Sequence, residues 1–266
     1  MLAPAYTRAL ITGSTSGIGL AVAERLGRER IQVGNLSFDQ AEVEATVAAL
    51  RNKGIDAFPV TADLSQPDDV TGLLARIEER HGPIDILVNS AGIGLQASVP
   101  EIRDEDMRRL FEVNFFAMVT LCRDALVSMA FRGRGHIINV SSASARRALP
   151  GLAIYAASKA AMHAFSQALR VEAKPHGVYV TELLPMSVRT PFFANAQNRS
   201  NRSYEVGGFA TSPEHVAERV WRAIRHPVPE VYTSTLSRLV LALDAIDPRL
   251  FEAILAAHER REKPGA

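Results

Sequence analysis

A single cysteine, Cys122, is present among the 266 residues of this chain, and its isolation excludes several kinds of chemistry. One thiol forms no internal disulfide, no redox pair and no cysteine cluster for a metal ion. Cys122 falls within an apolar helical pattern, which predicts a buried and inert thiol. No metal site is expected in the chain, and the candidate functional groups are hydroxyl, amide, amine and carboxylate side chains.

The chain also lacks an excess of charge of either sign. It has 30 lysines and arginines against 29 aspartates and glutamates, for a formal net charge of +1 at pH 7. No segment gathers basic residues as nucleic-acid binding requires, no apolar run is long enough to span a bilayer, and no signal peptide precedes the first strand. These absences predict a cytoplasmic protein with neither a nucleic-acid partner nor a membrane span.

What the chain has in quantity is apolar sequence in short segments. Hydrophobic residues make up 47% of it, and apolar runs alternate with helical patterns. This order predicts an α/β fold in one domain over residues 1–266, with a parallel sheet and helices on both faces. The predicted strands cover 8–12, 31–37, 57–61, 84–89, 136–140, 178–184 and 230–233, and the predicted helices 21–26, 41–53, 66–82, 105–132 (one helix or two), 154–173 and 212–225.

A glycine-rich turn joins the first predicted strand to the first predicted helix. It reads Gly13-Ser14-Thr15-Ser16-Gly17-Ile18-Gly19. Glycines let backbone N–H groups approach a phosphate, and the helix N-terminus adds partial positive charge. The spacing differs from the common G-x-G-x-x-G pattern, and an ordinary tight turn is the alternative.

Three residues carry the chemistry of an acid–base site. Ser142 follows a buried strand, Tyr155 comes thirteen residues later, and Lys159 four residues after that. If Tyr155 opens a helix, Lys159 is its neighbour one turn along, and a nearby cation favours the phenolate and lowers a phenol pKa of about 10. Such a pair suits proton exchange with an alcohol or a ketone. The alternative is a packed aromatic ring beside a surface lysine.

Several motifs, in order along the chain, resemble the classical short-chain dehydrogenase/reductase family. They are Thr12-Gly-x-x-x-Gly-Ile-Gly19, Asp63, Asn89-Ser-Ala-Gly92, Asn114, Ser142, Tyr155 and Lys159. The resemblance covers Thr7 to Thr190. It implies a Rossmann-like, doubly wound sheet of seven parallel strands that binds a nicotinamide dinucleotide.

The resemblance also implies roles for individual residues. Tyr155 is the acid or base, and Ser142 hydrogen-bonds the reacting oxygen. Lys159 lowers the Tyr155 pKa and holds the nicotinamide ribose. Asn114 holds a water that links Lys159 to solvent, or is simply an amide bonded to backbone. The implied cofactor-binding residues are Gly13, Ser14, Thr15, Ser16, Gly17, Ile18, Gly19, Ser37, Asp63, Leu64, Asn89, Ala91, Gly92, Tyr155, Lys159, Pro185, Val188 and Thr190.

Cofactor choice is expected at the end of the second strand. NAD-preferring relatives often carry an acidic residue where this chain has Ser37, and NADP-preferring relatives often carry an arginine where it has Phe38. The pattern slightly favours NADP(H) over NAD(H), with Arg8 or Arg28 as the candidate cation for the 2′-phosphate. Asp39 would reverse the preference if its side chain turned to the ribose.

Substrate specificity is expected in segments 95–100, 143–152 and 191–208. Residues 191–210 are polar and predict a substrate lid. Phe192 and Phe193 are either its apolar contacts or core anchors. Arg146 and Arg147 either meet an anionic substrate or are solvated. Met186 stands where the family usually has glycine, which adds bulk near the nicotinamide or the substrate.

Residues 236–257 form a C-terminal helical extension that is more apolar than one exposed helix requires. It packs over the substrate site, forms a subunit contact or touches a membrane surface, and the first two are favoured. A second short helix is expected from Pro248. The long helices around Asn114 and Tyr155 imply, by family analogy, a homodimer or homotetramer.

Together these features predict an NAD(P)(H)-dependent oxidoreductase acting on a small-molecule ketone or secondary alcohol. Two alternatives stay open. One is a non-redox enzyme of the same fold, such as an epimerase or dehydratase. The other is a dinucleotide-binding regulator or scaffold without turnover.

Overall fold

Seven parallel strands form the central sheet. The computed structural model describes residues 6–200, 210–247, 249 and 252. The strands are β1 (Arg8–Thr12), β2 (Gln32–Ser37), β3 (Ala57–Thr61), β4 (Ile86–Asn89), β5 (Leu95–Gln96), β6 (Gly135–Val140), β7 (Val178–Leu184), β8 (Gln197–Asn198) and β9 (Glu230–Tyr232). The order of the strands in the central sheet is β3-β2-β1-β4-β6-β7-β9. The predicted Rossmann-like sheet of seven strands is confirmed.

Helices cover both faces of this sheet. They are α1 (Gly17–Arg28), α2 (Gln40–Asn52), α3 (Pro67–Val70), α4 (Leu73–His81), α5 (Asp104–Phe111), α6 (Ala117–Arg132), α7 (Ala153–Ala173), α8 (Pro213–Arg225) and α9 (Thr235–Ile246). Among the described helices, none is both long and apolar enough to cross a bilayer.

The central strands contribute side chains to two separate cores, because successive side chains point to opposite faces of the sheet. In β1, Leu10 packs with Leu87 in one apolar cluster. Its neighbour Ile11 packs with Val88 in the other. All four of these side chains are fully buried. The continuous apolar runs that the sequence shows are therefore strands covered on both sides, as parallel sheets require.

Two predicted helices are interrupted. The helix predicted over 66–82 is split into α3 and α4, because Thr71 is extended and Gly72 takes a left-handed conformation with φ of 65°. The pattern at 105–132 is divided by a π-helical segment, Glu112–Phe116, between α5 and α6. Such one-turn widenings are frequent at functional sites, and this one contains Asn114.

Outside the main sheet, β5 and β8 form a two-residue parallel pair that the sequence did not predict. It attaches part of the predicted lid to the loop after β4. Residues 201–209 of that lid lie outside the described residues. So does most of the chain beyond α9, including Pro248 and the second helix predicted from it.

Candidate active site

A cavity of about 720 Å³ lies at the carboxyl ends of the strands. It spans the point where the strand order reverses, between β1 and β4, the usual ligand position in such sheets. It is lined by most of the predicted site residues: Gly13, Thr15, Ser16, Gly17, Ile18, Gly19, Ser37, Asp63, Leu64, Ala91, Gly92, Ser142, Tyr155, Lys159, Pro185, Val188 and Thr190.

The glycine turn is built for close approach of backbone. A Cβ atom at Gly19 would clash with the Gly13 carbonyl oxygen, and one at Gly13 would lie 2.7 Å from Ala91 Cα. Gly13 and Gly17 both have positive φ, at 62° and 55°. Helix α1 begins at Gly17, so the backbone N–H groups of its first turn have no partner within the helix. Gly17, Ile18 and Gly19 of that turn line the cavity. A dinucleotide pyrophosphate fits this arrangement.

The predicted adenosine end of the cavity contains an acidic residue that the sequence analysis missed. Glu42, in the first turn of α2, accepts a hydrogen bond of 3.0 Å from Thr15 Oγ1 and lines the cavity. Asp39 does not turn to the cavity, since its side chain caps α2 by accepting from the Glu42 N–H at 2.9 Å. Phe38, also in the lining, is 71% exposed.

Neither candidate cation for a 2′-phosphate reaches this end. Arg8 bonds Gln32 and the Pro83 carbonyl at the start of the sheet. Arg28 lies in the last turn of α1, beside Glu24. That expectation was wrong because both arginines lie at the ends of their elements opposite the cavity.

Ser142, Tyr155 and Lys159 converge at the other end of the cavity. Tyr155 is 5% exposed and Lys159 is 4% exposed. Lys159 Nζ lies 5.9 Å from the centroid of the Tyr155 ring and donates a 2.9 Å hydrogen bond to the Val140 carbonyl. The alternative of a surface lysine beside a packed ring is excluded by this burial.

Burial has the largest effect on the pKa values of Tyr155 and Lys159. Burial raises the pKa of Tyr155 to about 12, and a hydrogen bond with Ser142 opposes that shift. Burial lowers the pKa of Lys159 to about 8, and the negative charge of Glu182 opposes it. The pKa of Tyr155 is raised and not lowered as predicted, because desolvation by burial has the largest effect on it. Tyr155 is therefore a phenol at neutral pH, the form that donates a proton.

Asn114 lies behind the cavity wall. Its Oδ1 accepts from the Ile93 N–H at 2.8 Å, and its Nδ2 donates to the Ile93 carbonyl at 3.0 Å. A Cβ at Gly92 would lie 3.2 Å from Asn114 Oδ1 and 3.7 Å from Lys159 Nζ. The contacts are those of the backbone-bonded alternative, and they fix the loop beside Lys159.

Two predicted cofactor residues do not line the cavity. Asn89 Nδ2 donates to Asn139 Oδ1 at 2.9 Å and approaches Cys122 Sγ of α6 at 3.2 Å. Ser14 is fully buried. Cys122 is buried as predicted, and burial raises the pKa of its thiol to about 12.

Phe192 and Phe193 serve both of the roles left open by the sequence. Their rings lie 5.7 and 6.3 Å from the Tyr155 ring, and both residues line the cavity. They also pack on a small apolar cluster that includes Leu152. Met186 also lines the cavity and is 48% exposed.

The two arginines of the 143–152 loop are engaged with carboxylates. Arg146 pairs with Glu230 at 2.6 Å, and Arg147 pairs with Asp244 of α9 at 2.9 Å. Arg146 is exposed, as the solvated alternative predicts, whereas Arg147 is half-buried. Neither arginine lines the cavity. The Arg147–Asp244 pair fastens α9 to this loop, which supports the packing alternative for the C-terminal extension.

The described part of the predicted lid is latched by an ion pair. Arg199 bonds both oxygens of Asp106 on α5, at 3.0 and 3.3 Å, and its backbone N–H donates to the Gln96 carbonyl. The hydrogen bond from Arg199 lowers the pKa of Asp106. Lid motion itself stays a prediction.

Replacing Arg199 by glutamine is expected to loosen this segment. Limited proteolysis within residues 191–200 should become several times faster, because loss of the ion pair raises the population of the open segment. The KM of any reduced ketone should rise more than kcat falls. Arg123→Gln, which removes an exposed pair with Asp124, is the control. Equal cleavage rates for both variants would contradict the latch.

Ser144, Leu149, Leu152 and Asn195 also line the cavity, and they lie in the segments 143–152 and 191–208 where substrate specificity is expected. Further cavity residues that the sequence did not indicate include Ile93, Gly94, Arg109 and Val113.

Comparison with known proteins agrees with this geometry. The family model for short chain dehydrogenases matches residues 7–201. "Dehydrogenase/reductase SDR family member 7B" of Bos taurus is 30% identical over 97% of this chain and 84% of its own. A "Putative ketoacyl reductase" of Streptomyces coelicolor is 33% identical over 74% of this chain and 77% of its own.

Solved structures are also similar. A short-chain dehydrogenase from Sphingobium yanoikuyae in complex with NADPH superposes with a TM-score of 0.80 at 27% identity, covering 92% of this chain and 95% of its own. Other similar structures contain NADP or NAD.

Proposed function

Because the chain belongs to the short-chain dehydrogenase/reductase family, we propose that it interconverts a ketone and a secondary alcohol with a nicotinamide dinucleotide. The observation that carries the proposal is one cavity that joins the glycine turn to Ser142, Tyr155 and Lys159. When bound, the dinucleotide supplies the hydride donor or acceptor. The residues of this chain bind it, orient the substrate and move the proton.

In the reducing direction, Tyr155 and Ser142 act on the carbonyl oxygen. Negative charge builds there in the transition state, and the two hydroxyl groups donate hydrogen bonds to it. Tyr155 then gives its proton to that oxygen. In the oxidising direction Tyr155 takes the proton from the alcohol.

Lys159 supports both proton transfers through its positive charge. A buried ammonium stabilises the phenolate that forms when Tyr155 gives up its proton. With a pKa of about 8, Lys159 is mostly ammonium at neutral pH. When the dinucleotide is bound, Lys159 would hold the nicotinamide ribose, and Asn114 supports Lys159 through the loop at Gly92.

For the cofactor we propose a small preference for NADP(H). Ser37 replaces an acidic residue that would repel a 2′-phosphate, and Thr15 and Ser37 are hydrogen-bond donors at that end. Glu42 opposes the preference, because its carboxylate repels a phosphate dianion. The residues of the glycine turn, β2 and β3 that line the cavity include no lysine or arginine.

Replacing Glu42 by glutamine is therefore expected to tighten NADPH binding by about tenfold, equivalent to about 1.4 kcal/mol. NADH binding should stay within about twofold of wild type, since NADH lacks the phosphate. Fluorescence titration of both nucleotides measures this. Glu44→Gln, on the same helix and bonded to Gln40, is the matched control. Weaker NADH binding with unchanged NADPH binding would mean that Glu42 holds the ribose diol.

Turnover of the purified full chain tests the function. It should oxidise NADPH or NADH in the presence of one of a panel of ketones that includes β-ketoacyl thioesters, steroid ketones and cyclic ketones. Nucleotide binding without turnover of any ketone or alcohol would favour the regulator or scaffold. Absence of binding would show that the glycine turn is not a dinucleotide site.

For assembly we propose a homodimer or homotetramer. Apolar side chains stand exposed on α6 and at the end of α7: Val127 at 71%, Phe131 at 95% and Val171 at 74%. An equivalent surface on a second copy would cover them. The cytoplasmic location stays a prediction of the sequence.

A further inference from the structure

A buried carboxylate lies behind the reacting pair. Glu182 in β7 is fully buried, and its Oε2 lies 2.5 Å from His163 Nδ1 on α7. Its Oε1 has no hydrogen-bond partner among the described residues. A carboxylate withdrawn from water is costly unless a charge or a donor compensates it. The position therefore has to be explained by what surrounds it.

Helix α7 presents three titratable groups in a row toward β7. Tyr155, Lys159 and His163 follow one another at four-residue intervals, so they share one face of the helix. Lys159 Nζ donates to the Val140 carbonyl at 2.9 Å, and Val140 pairs in register with Leu183, the residue next to Glu182 in β7. The negative charge of Glu182 opposes the burial that lowers the pKa of Lys159 to about 8. Gln167, one turn further, bonds the other ring nitrogen of His163 at 3.1 Å.

On the opposite side, β9 brings a second carboxylate. Glu230 is the register partner of Glu182, but Arg146 and Tyr232 each bond it at 2.6 Å. His163, Glu182 and Glu230 have ligand atoms within 4.8 Å of one another, a spacing that a metal ion would accept. The Arg146 guanidinium already compensates Glu230, however. The negative charge of Glu182 is therefore available to Lys159 and His163.

We propose that Glu182 is a positioning residue: its buried carboxylate keeps Lys159 in the ammonium form beneath Tyr155, and His163 holds that carboxylate in place. The inference rests on the proposed roles of Tyr155 and Lys159. Reduction needs a phenol on Tyr155 and an ammonium on Lys159 together. Loss of the Lys159 proton ends the active form at high pH, and Glu182 postpones that loss.

Glu182→Gln removes the charge and keeps the shape. The removal lowers the pKa of Lys159, so the high-pH limb of kcat for ketone reduction should move down by about one unit. The matched control is Glu172→Gln, which removes an exposed carboxylate from helix α7. The profile runs from about pH 6 to about pH 10, a range that covers the lysine titration. Thermal unfolding of each variant reports folding.

Glu182→Asp gives a second, graded test. The aspartate side chain is one methylene shorter, so its carboxylate lies farther from Lys159. The high-pH limb of kcat should therefore move in the same direction by a smaller amount. If Glu182→Gln does not fold, Glu182→Asp alone tests the inference. Profiles of Glu182→Gln or Glu182→Asp that coincide with Glu172→Gln overturn the inference. A wild-type chain that reduces no ketone at any pH would instead contradict the proposed function.

Discussion

Replacing Tyr155 by phenylalanine is expected to lower kcat by about three to four orders of magnitude, the upper range for loss of a general acid. The proton donor to the carbonyl oxygen is lost. The ring remains, and with it the packing against Phe192 and Phe193. Nucleotide affinity should therefore change by no more than about threefold, or about 0.7 kcal/mol.

The measurement pairs two readouts on one sample. Fluorescence titration gives the dissociation constant of NADPH, and turnover with a ketone gives kcat. Tyr179→Phe is the control, because Tyr179 lies at the start of β7 and is 44% exposed. A Tyr155→Phe enzyme with a tenth or more of wild-type turnover, a barrier change of only about 1.4 kcal/mol, would remove Tyr155 from the reaction. If the Tyr155→Phe variant did not fold, the role of the Tyr155 hydroxyl group would be structural.

The strands of the sheet, though not their order, follow directly from the sequence pattern. Runs such as Ile86–Asn89 are buried on both faces, and such runs are recognisable without any tertiary information. The interruptions of the predicted helices cannot be recognised in this way. The break at Gly72 and the π-helical segment around Asn114 depend on how α4 and α6 pack, and the helical periodicity on each side continues across them.

Tyr155 and Lys159 could be proposed from the sequence because their spacing along α7 is a local property. Glu42 and Glu182 were not identified, because their roles arise between elements. Glu42 faces the cavity only because α2 brings it to Thr15. For Glu182 a signal existed: Val178, Val180 and Leu184 alternate toward the core, and Glu182 occupies the same face of β7. A charged residue at a core position of a strand indicates a partner, but only the fold identifies it as His163 and Lys159.

The protonation state of Tyr155 also required the structure. Spacing predicts a neighbouring cation, which lowers a phenol pKa. Burial, which spacing does not report, raises the pKa to about 12. The difference matters for direction, because a phenol at neutral pH is ready to donate a proton in reduction.

Lys159→Met is expected to reduce turnover and, at the same time, to stabilise the fold. The ammonium that supports phenolate formation is lost, so kcat should fall by at least about a hundredfold, as for loss of a general acid–base component. The buried cation is also lost. Burial lowers the pKa of Lys159 from its ordinary value of 10.5 to about 8, and that difference corresponds to about 3 kcal/mol of unfolding free energy.

The gain should depend on pH in a defined direction. The folded-state pKa of Lys159 is below its unfolded value, so the penalty is present in full below about pH 8 and disappears as the pH rises toward 10.5. Between these values the unfolded chain binds more protons than the folded one, and the stability of the wild type rises with pH. The advantage of Lys159→Met in urea unfolding should therefore be large at neutral pH and small above about pH 10.

Lys174→Met, an exposed position at the end of α7, controls for the loss of one positive charge from the surface. An advantage of Lys159→Met that is the same at every pH would contradict the account, since it would come from apolar packing rather than from the buried charge. A pH-dependent advantage together with lost turnover would mean that the chain keeps a destabilising ammonium beneath Tyr155 because the reaction requires it.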